Sequence, residues 1–224
     1  MTVAVKICGM TNVEDALAAA HFGADFVGLN FYAGSSRRVS EEQARLILKA
    51  LPKSVTPVAL FVNESWNRIG AIVSRLGITM VQIHADEHVP CPLPDLSWVP
   101  AFPIRDSSSF SAIKMLSLPS RAEASSSNVP AAILVDAHIP GAYGGTGNTA
   151  PWALLADMPI PLRSVRFMLA GGLTPDNVAE AIRIVRPWAV DVASGVESSP
   201  GKKDHDKMRR FIQNARGAGT SPAP

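Results

Sequence analysis

The chain is short of cysteine. Cys8 and Cys91 are the two it has among 224 residues, too few for a disulfide framework. It is also short of surplus charge. A formal net charge of +2 leaves no footprint for nucleic acid, which normally needs a clustered basic patch. The densest basic stretches, Lys202-Lys203 and Lys207 to Arg210, read as solvated helix faces. No apolar run approaches the ~20 residues that span a bilayer. The first strand begins by Val3, which leaves no room for a signal peptide. Residues 144–149 read GGTGNT, without the context of a dinucleotide fingerprint and without a Walker lysine. His84, Asp86, Glu87 and His88 are clustered, but no H-E-x-x-H or paired C-x-x-C spacing makes them a metal site. These absences point to a cytoplasmic protein in a reducing compartment, with no nucleic-acid or membrane partner, no metal and no cofactor.

What is present is a 47% hydrophobic fraction against 18% charged residues, enough for a sizeable core. Apolar residues recur at i, i+3, i+4 and i+7 in five segments: Val13, Ala16, Leu17, Ala20; Ala44, Ile47, Leu48, Leu51; Ile69, Ile72, Val73, Leu76; Val178, Ala181, Ile182, Val185; and Met208, Phe211, Ile212, Ala215. Each makes one apolar helical stripe. Thr11-x-x-Glu14 and Ser40-x-x-Gln43 read as capping boxes, and Thr174-Pro175 as a cap followed by proline at the first helical position. Weaker helical signals lie near 109–118 and 151–156, and there is little sign of a helix in 86–95. Between the helices lie eight short apolar runs, at 3–8, 26–31, 57–62, 80–84, 98–104, 131–136, 165–170 and 188–193. Most are continuous rather than alternating, as in strands buried on both faces of a parallel sheet. Strand then helix, repeated about eight times, predicts a single α/β (β/α)8 barrel over residues 1–216. A doubly wound open sheet is the architectural rival. The serine- and alanine-rich stretch 117–130 reads as an exposed connection, and 217–224 as a flexible C-terminal tail.

Barrel active sites sit at the carboxyl ends of the strands. Side chains alternate along a strand. If Ile7, Ile83, Val135, Val190 and Val192 face the outer helices, then Lys6, Cys8, Gln82, His84, Asp136 and Asp191 face the barrel mouth. Each has a plain alternative. A strand-end cysteine is often a small buried hydrophobe, and an aspartate after a strand is often a helix cap. Asp136 fits the second poorly, because Pro140-Gly141 and a glycine-rich stretch follow it. Gly171-Gly172 after the seventh strand and Ser194-Gly195 after the eighth suggest an anion cradle, since glycines let backbone approach a ligand and helix starts bind phosphate. Together these features predict acid–base chemistry on a small phosphorylated substrate.

Six blocks carry a resemblance: KICGMT, FYAGSSRRVS, VQIHADE, LVDAHIPGAYGGTGNT, LAGGLTPDNVAEAI and VDVASGVESSPGKKDHDKMRRFI. Over roughly residues 3–216 the chain resembles the phosphoribosylanthranilate isomerases of tryptophan biosynthesis. The resemblance implies a (β/α)8 barrel and an Amadori rearrangement of N-(5-phosphoribosyl)anthranilate to 1-(2-carboxyphenylamino)-1-deoxyribulose 5-phosphate, without cofactor or metal. It implies that Cys8 is the general base and that Asp136, which must arrive protonated, is the general acid. Arg37 would hold the anthranilate carboxylate through its planar fork, His84 and Asp191 would line the pocket, and Gly171, Gly172, Ser194 and Gly195 would cradle the phosphate. A thiol acts as base only as thiolate, and Lys6, two residues from Cys8, is expected to favour that form. The chain departs from the usual family pattern at Gly34, Ser36, Ala85 and Ala193. A monomer is expected. The alternatives are the related sugar-phosphate isomerase of histidine biosynthesis, which uses an aspartate where Cys8 stands, and a barrel that only binds a phosphorylated ligand. A Schiff-base aldolase would want a strand-end lysine.

Overall fold

A computed structural model describes residues 2–87, 90–104, 106–115, 130–136, 152–156 and 166–219. His88, Pro140-Gly141, the 144–149 run, 117–129 and 220–224 lie outside the described residues. Strands β1 (Ala4–Ile7), β2 (Phe26–Asn30), β3 (Thr56–Val62), β4 (Met80–His84), β5 (Ser97–Pro103), β6 (Ile133–Asp136), β7 (Phe167–Ala170) and β8 (Ala189–Val192) form a closed barrel. Every neighbouring pair is parallel, and β8 closes onto β1 with Ala4 opposite Ala189 and Ile7 opposite Val192. That last pairing excludes the open sheet.

The strand alternation sorts side chains into two apolar groups. Val5, Ile7, Val27, Leu29, Val81, Ile83, Ile133, Val135, Val190 and Val192 belong to the cluster between sheet and helices. Val99, Ala101, Leu134, Met168, Ala170 and Ala189 form a separate cluster within the barrel. Both faces of the strands are thus withdrawn from water, and each fully buried aliphatic side chain contributes roughly 1.5–3 kcal/mol. The lumen also takes in Lys6, Gln82 and Asp191, all buried.

The helices are α1 (Val13–Phe22), α2 (Glu41–Ala50), α3 (Trp66–Leu76), α4 (Phe110–Met115), α5 (Trp152–Ala156), α6 (Val178–Val185) and α7 (His205–Gly219). Between β4 and β5 the described residues hold no helix. The Ser40 capping box is present in both directions, with Gln43 N bonded to Ser40 Oγ and Ser40 N to Gln43 Oε1. The other two expected starts are displaced. Asn12, not Thr11, caps α1 by accepting from Asp15 N. The Thr11 hydroxyl instead donates to the Gly201 carbonyl, a long-range acceptor that no local pattern shows. After Thr174 the chain makes a separate turn before α6, and the Asn177 side chain bonds Thr174 N and Gly172 O.

Helix α7 runs through Gly219, so the expected boundary after Arg216 falls inside it. Arg216 explains the extension. Its guanidinium donates to the carbonyls of Val3 and Gly23 and to Asp25, which holds the last turns of the helix against the start of β1. A small antiparallel hairpin, β9 (Glu197–Ser199) with β10 (Lys202–Lys203), precedes α7. Lys203 is buried, so the solvated helix face expected for Lys202-Lys203 is wrong for that residue. The hairpin turns its side chain inward, where three acceptors meet it.

Candidate active site

The site is built on the carboxyl ends of β1, β6, β7 and β8. Cys8 N continues the ladder by donating to Val192 O. Gly9 then adopts φ +75°, and both Gly9 N and Met10 N donate to Gly28 O. A side chain at Gly9 would strike the stem of Arg37, with Cδ only 2.6 Å from an added Cβ. Glycine follows the cysteine because the backbone is left-handed there and because Arg37 lies across it.

Lys6 is 1% exposed and donates to Asp191 Oδ1 at 2.8 Å. Cys8 Sγ and Lys6 Nζ share one niche: an added Cβ on Gly28 would lie 2.6 Å from the sulfur and 3.2 Å from the ammonium. Burial opposes charge on Lys6, but Asp191 and Cys8 outweigh it and its pKa is raised. Burial also dominates at Cys8 and pushes the thiol up. Lys6 and Lys203 pull the thiol pKa down and Asp191 pushes it up. The expected help from Lys6 is present in direction, yet the net shift is upward, because a buried thiolate loses its water. Replacing Lys6 with methionine is therefore expected to move the alkylation midpoint of Cys8 to still higher pH. Rates of thiol alkylation against pH measure this, and an unchanged midpoint would remove Lys6 from the role.

Asp136 and Asp191 line a cavity of about 180 Å³ together with Gly171, Gly172, Ser194 and Gly195. Gly171 and Gly172 both have positive φ, +92° and +64°, which bends the chain back under the cavity. A Cβ on Gly195 would collide with the Leu173 carbonyl oxygen, so at this point the loops after β7 and β8 meet backbone to backbone. His84 is half-buried at the end of β4, and Gln82 Nε2 lies 2.8 Å from its Nε2. In that orientation the amide donates and the imidazole holds its proton on Nδ1.

Arg37 lies in the segment after β2. It forks onto Glu197, with Nε 2.8 Å from Oε1 and Nη2 2.7 Å from Oε2. That fork, more than burial, sets its pKa, which is raised. Burial alone would raise Glu197, but Arg37 and Lys203 hold it below the ordinary carboxylate range. Glu197, Lys203 and Gly28 were not among the residues expected from the sequence. A signal for the first two existed. Opposite charges flank Ser-Ser-Pro-Gly-Lys, and a Pro-Gly turn reads as a hairpin that brings its flanks together. Two departures from the family pattern also find a setting. The Tyr32 ring lies 2.8 Å from where a Cβ on Gly34 would sit, and Ala193 offers its carbonyl to Lys203.

A closed parallel barrel with a thiol, two carboxylates and a backbone cradle at its mouth defines an enzyme for acid–base chemistry on a small anionic substrate. Residues 5–214 match the family of N-(5'-phosphoribosyl)anthranilate (PRA) isomerases. The N-(5'-phosphoribosyl)anthranilate isomerase of Acidithiobacillus ferrooxidans is 44% identical, covering 96% of this chain and 98% of that protein. The one from Trichlorobacter lovleyi is 42% identical, covering 96% and 99%. The crystal structure of phosphoribosyl anthranilate isomerase from Thermotoga maritima superposes with a TM-score of 0.81 at 39% identity, covering 96% of this chain and all of that one. Another solved isomerase, in complex with reduced 1-(o-carboxyphenylamino)-1-deoxyribulose 5-phosphate, superposes with a TM-score of 0.77 at 37% identity, covering 96% and 100%. The chain belongs to the N-(5'-phosphoribosyl)anthranilate isomerase family. Its activity is the isomerisation of that substrate in tryptophan biosynthesis.

Proposed function

We propose that Asp136 and Cys8 carry out this isomerisation as general acid and general base. One observation carries the reading: Asp136 lines the cavity together with the Gly171-Gly172 and Ser194-Gly195 cradle. Cys8 is not part of that lining; it lies beside Lys6, whose ammonium holds the cavity-lining Asp191. With the 5-phosphate in the cradle, Asp136 gives its proton to the furanose ring oxygen. The bond from that oxygen to C1 breaks and C1 becomes doubly bonded to nitrogen. The Cys8 thiolate removes the proton from C2. Those electrons form the C1–C2 double bond, and the C1–N π electrons return to nitrogen. The enolamine then tautomerises to the 2-ketone as C1 gains a proton. C2 is oxidised and C1 reduced within one molecule, so the scheme uses no cofactor or metal.

Arg37 receives the anthranilate carboxylate. Glu197 occupies the Nε/Nη2 edge of its guanidinium, which leaves the Nη1/Nη2 edge for a second bidentate carboxylate. His84 and Asp191 complete the pocket wall. A monomeric working form acting in the cytoplasm is part of the same proposal.

Fluorescence of freshly prepared N-(5-phosphoribosyl)anthranilate, corrected for spontaneous breakdown, tests the scheme. Asp136→Asn keeps the shape of the side chain and removes the proton it must give. Its kcat is expected to fall by about 10²–10⁴-fold. Turnover near that of the parent would sink the assignment.

A further inference from the structure

Glu197 and Lys203 are both buried, and the acid–base scheme uses neither. Glu197 Oε1 accepts from Arg37 Nε and, at 2.9 Å, from Lys203 Nζ. Lys203 Nζ also donates to Cys8 O at 2.6 Å and to Ala193 O at 3.1 Å, so all three ammonium hydrogens are taken. The side chain of Lys203 is fully buried, that of Arg37 about a quarter exposed. The link therefore runs from the guanidinium at the surface, through a buried carboxylate and a buried ammonium, to the main chain that carries the thiol. A second contact supports the same spacing, since the stem of Arg37 lies against Gly9, the residue after Cys8.

We propose that Glu197 and Lys203 are positioning residues that set the distance and angle between the carboxylate-binding edge of Arg37 and the Cys8 base. The hairpin β9–β10 supplies both. Its tip at Gly201 packs on Ser36 O and Thr11, so the hairpin bridges the segments that follow β2 and β1. A carboxylate on the free edge of Arg37 is then presented at a fixed offset from the thiol. A free arginine would lose rotamer entropy each time it gripped a ligand, whereas one held by Glu197 is already ordered. The inference rests on the reading of Arg37 and Cys8 given above.

The test uses two ligands, the reduced carboxyphenylamino deoxyribulose phosphate and its counterpart lacking the carboxyl group, titrated by calorimetry. Glu197→Gln is expected to weaken the carboxylated ligand about tenfold, the scale of a misaligned charge-assisted bond, and to leave the other within about twofold. Equal loss for both ligands, or loss for neither, overturns the proposal. Removing one partner of a buried pair can unfold a protein. The double variant Glu197→Gln/Lys203→Met removes both charges together and is expected to show the same selective loss. Arg37→Lys separates the two layers of argument. If it spares the carboxylated ligand, the reading of Arg37 itself fails. If it weakens that ligand while both Glu197 variants do not, the positioning role alone fails.

Discussion

Replacing Cys8 with alanine is expected to lower kcat by about 10²–10⁴-fold while leaving the fold and the affinity for a product analogue nearly intact. The sulfur is one small buried atom beside Gly28, and the backbone bonds around it, Cys8 N to Val192 O and Lys203 Nζ to Cys8 O, do not involve the side chain. Chemistry and folding therefore separate at this position. The parent should also show a particular pH dependence. Burial, joined by Asp191, raises the thiol pKa against the pull of Lys6 and Lys203. The thiolate is scarce at neutral pH and becomes populated only above the ordinary thiol value of about 8.5. The rate of thiol alkylation at Cys8 in the parent is thus expected to climb with pH through and beyond that value, whereas kcat/KM follows the acid and the base as a pair and falls once Asp136 can no longer arrive protonated. An alanine variant with full turnover would take Cys8 out of the reaction.

Gly195→Ala is expected to raise KM on the order of 10²-fold, the scale of a displacement of about 1 Å at a substrate-holding group, with a smaller fall in kcat. The added methyl would meet a backbone oxygen, Leu173 O, and lie 3.2 Å from Val192 Cγ2. A backbone atom cannot swing aside as a side chain can, so the loops after β7 and β8 must part, and the cradle is their shared surface. Gly172→Ala is the matched comparison. Nothing lies within 4 Å of a Cβ there, and its cost is the positive φ of +64°, worth roughly 1–2 kcal/mol in stability. Steady-state kinetics and thermal unfolding of the two variants distinguish the effects. Similar KM values for both would mean that contact between the loops does not shape the cradle.

The period of the chain made much of this legible. Alternation along β1, β4, β6 and β8 put Ile7, Ile83, Val135 and Val190 outside and Lys6, Gln82 and Asp191 inside, because side-chain direction in a strand is a local property. The Ser40 box was legible for the same reason. Thr11 was misread as a cap because its partner, Gly201, is 190 residues away.

By itself, then, the sequence determined the eight strands, the main helices between them, the side-chain faces, the glycine loops and the motifs shared with the isomerase family. Tertiary structure decided what depends on distance through space. Closure of β8 onto β1 brought Asp191 to Lys6 across 185 positions. The hairpin turned Lys203, one of a run of basic residues, into a buried tie between Glu197 and Cys8. Burial then outweighed the expected help of Lys6 at the thiol, since a neighbouring lysine can be read from spacing while the loss of water around a charge arises only once the chain is packed.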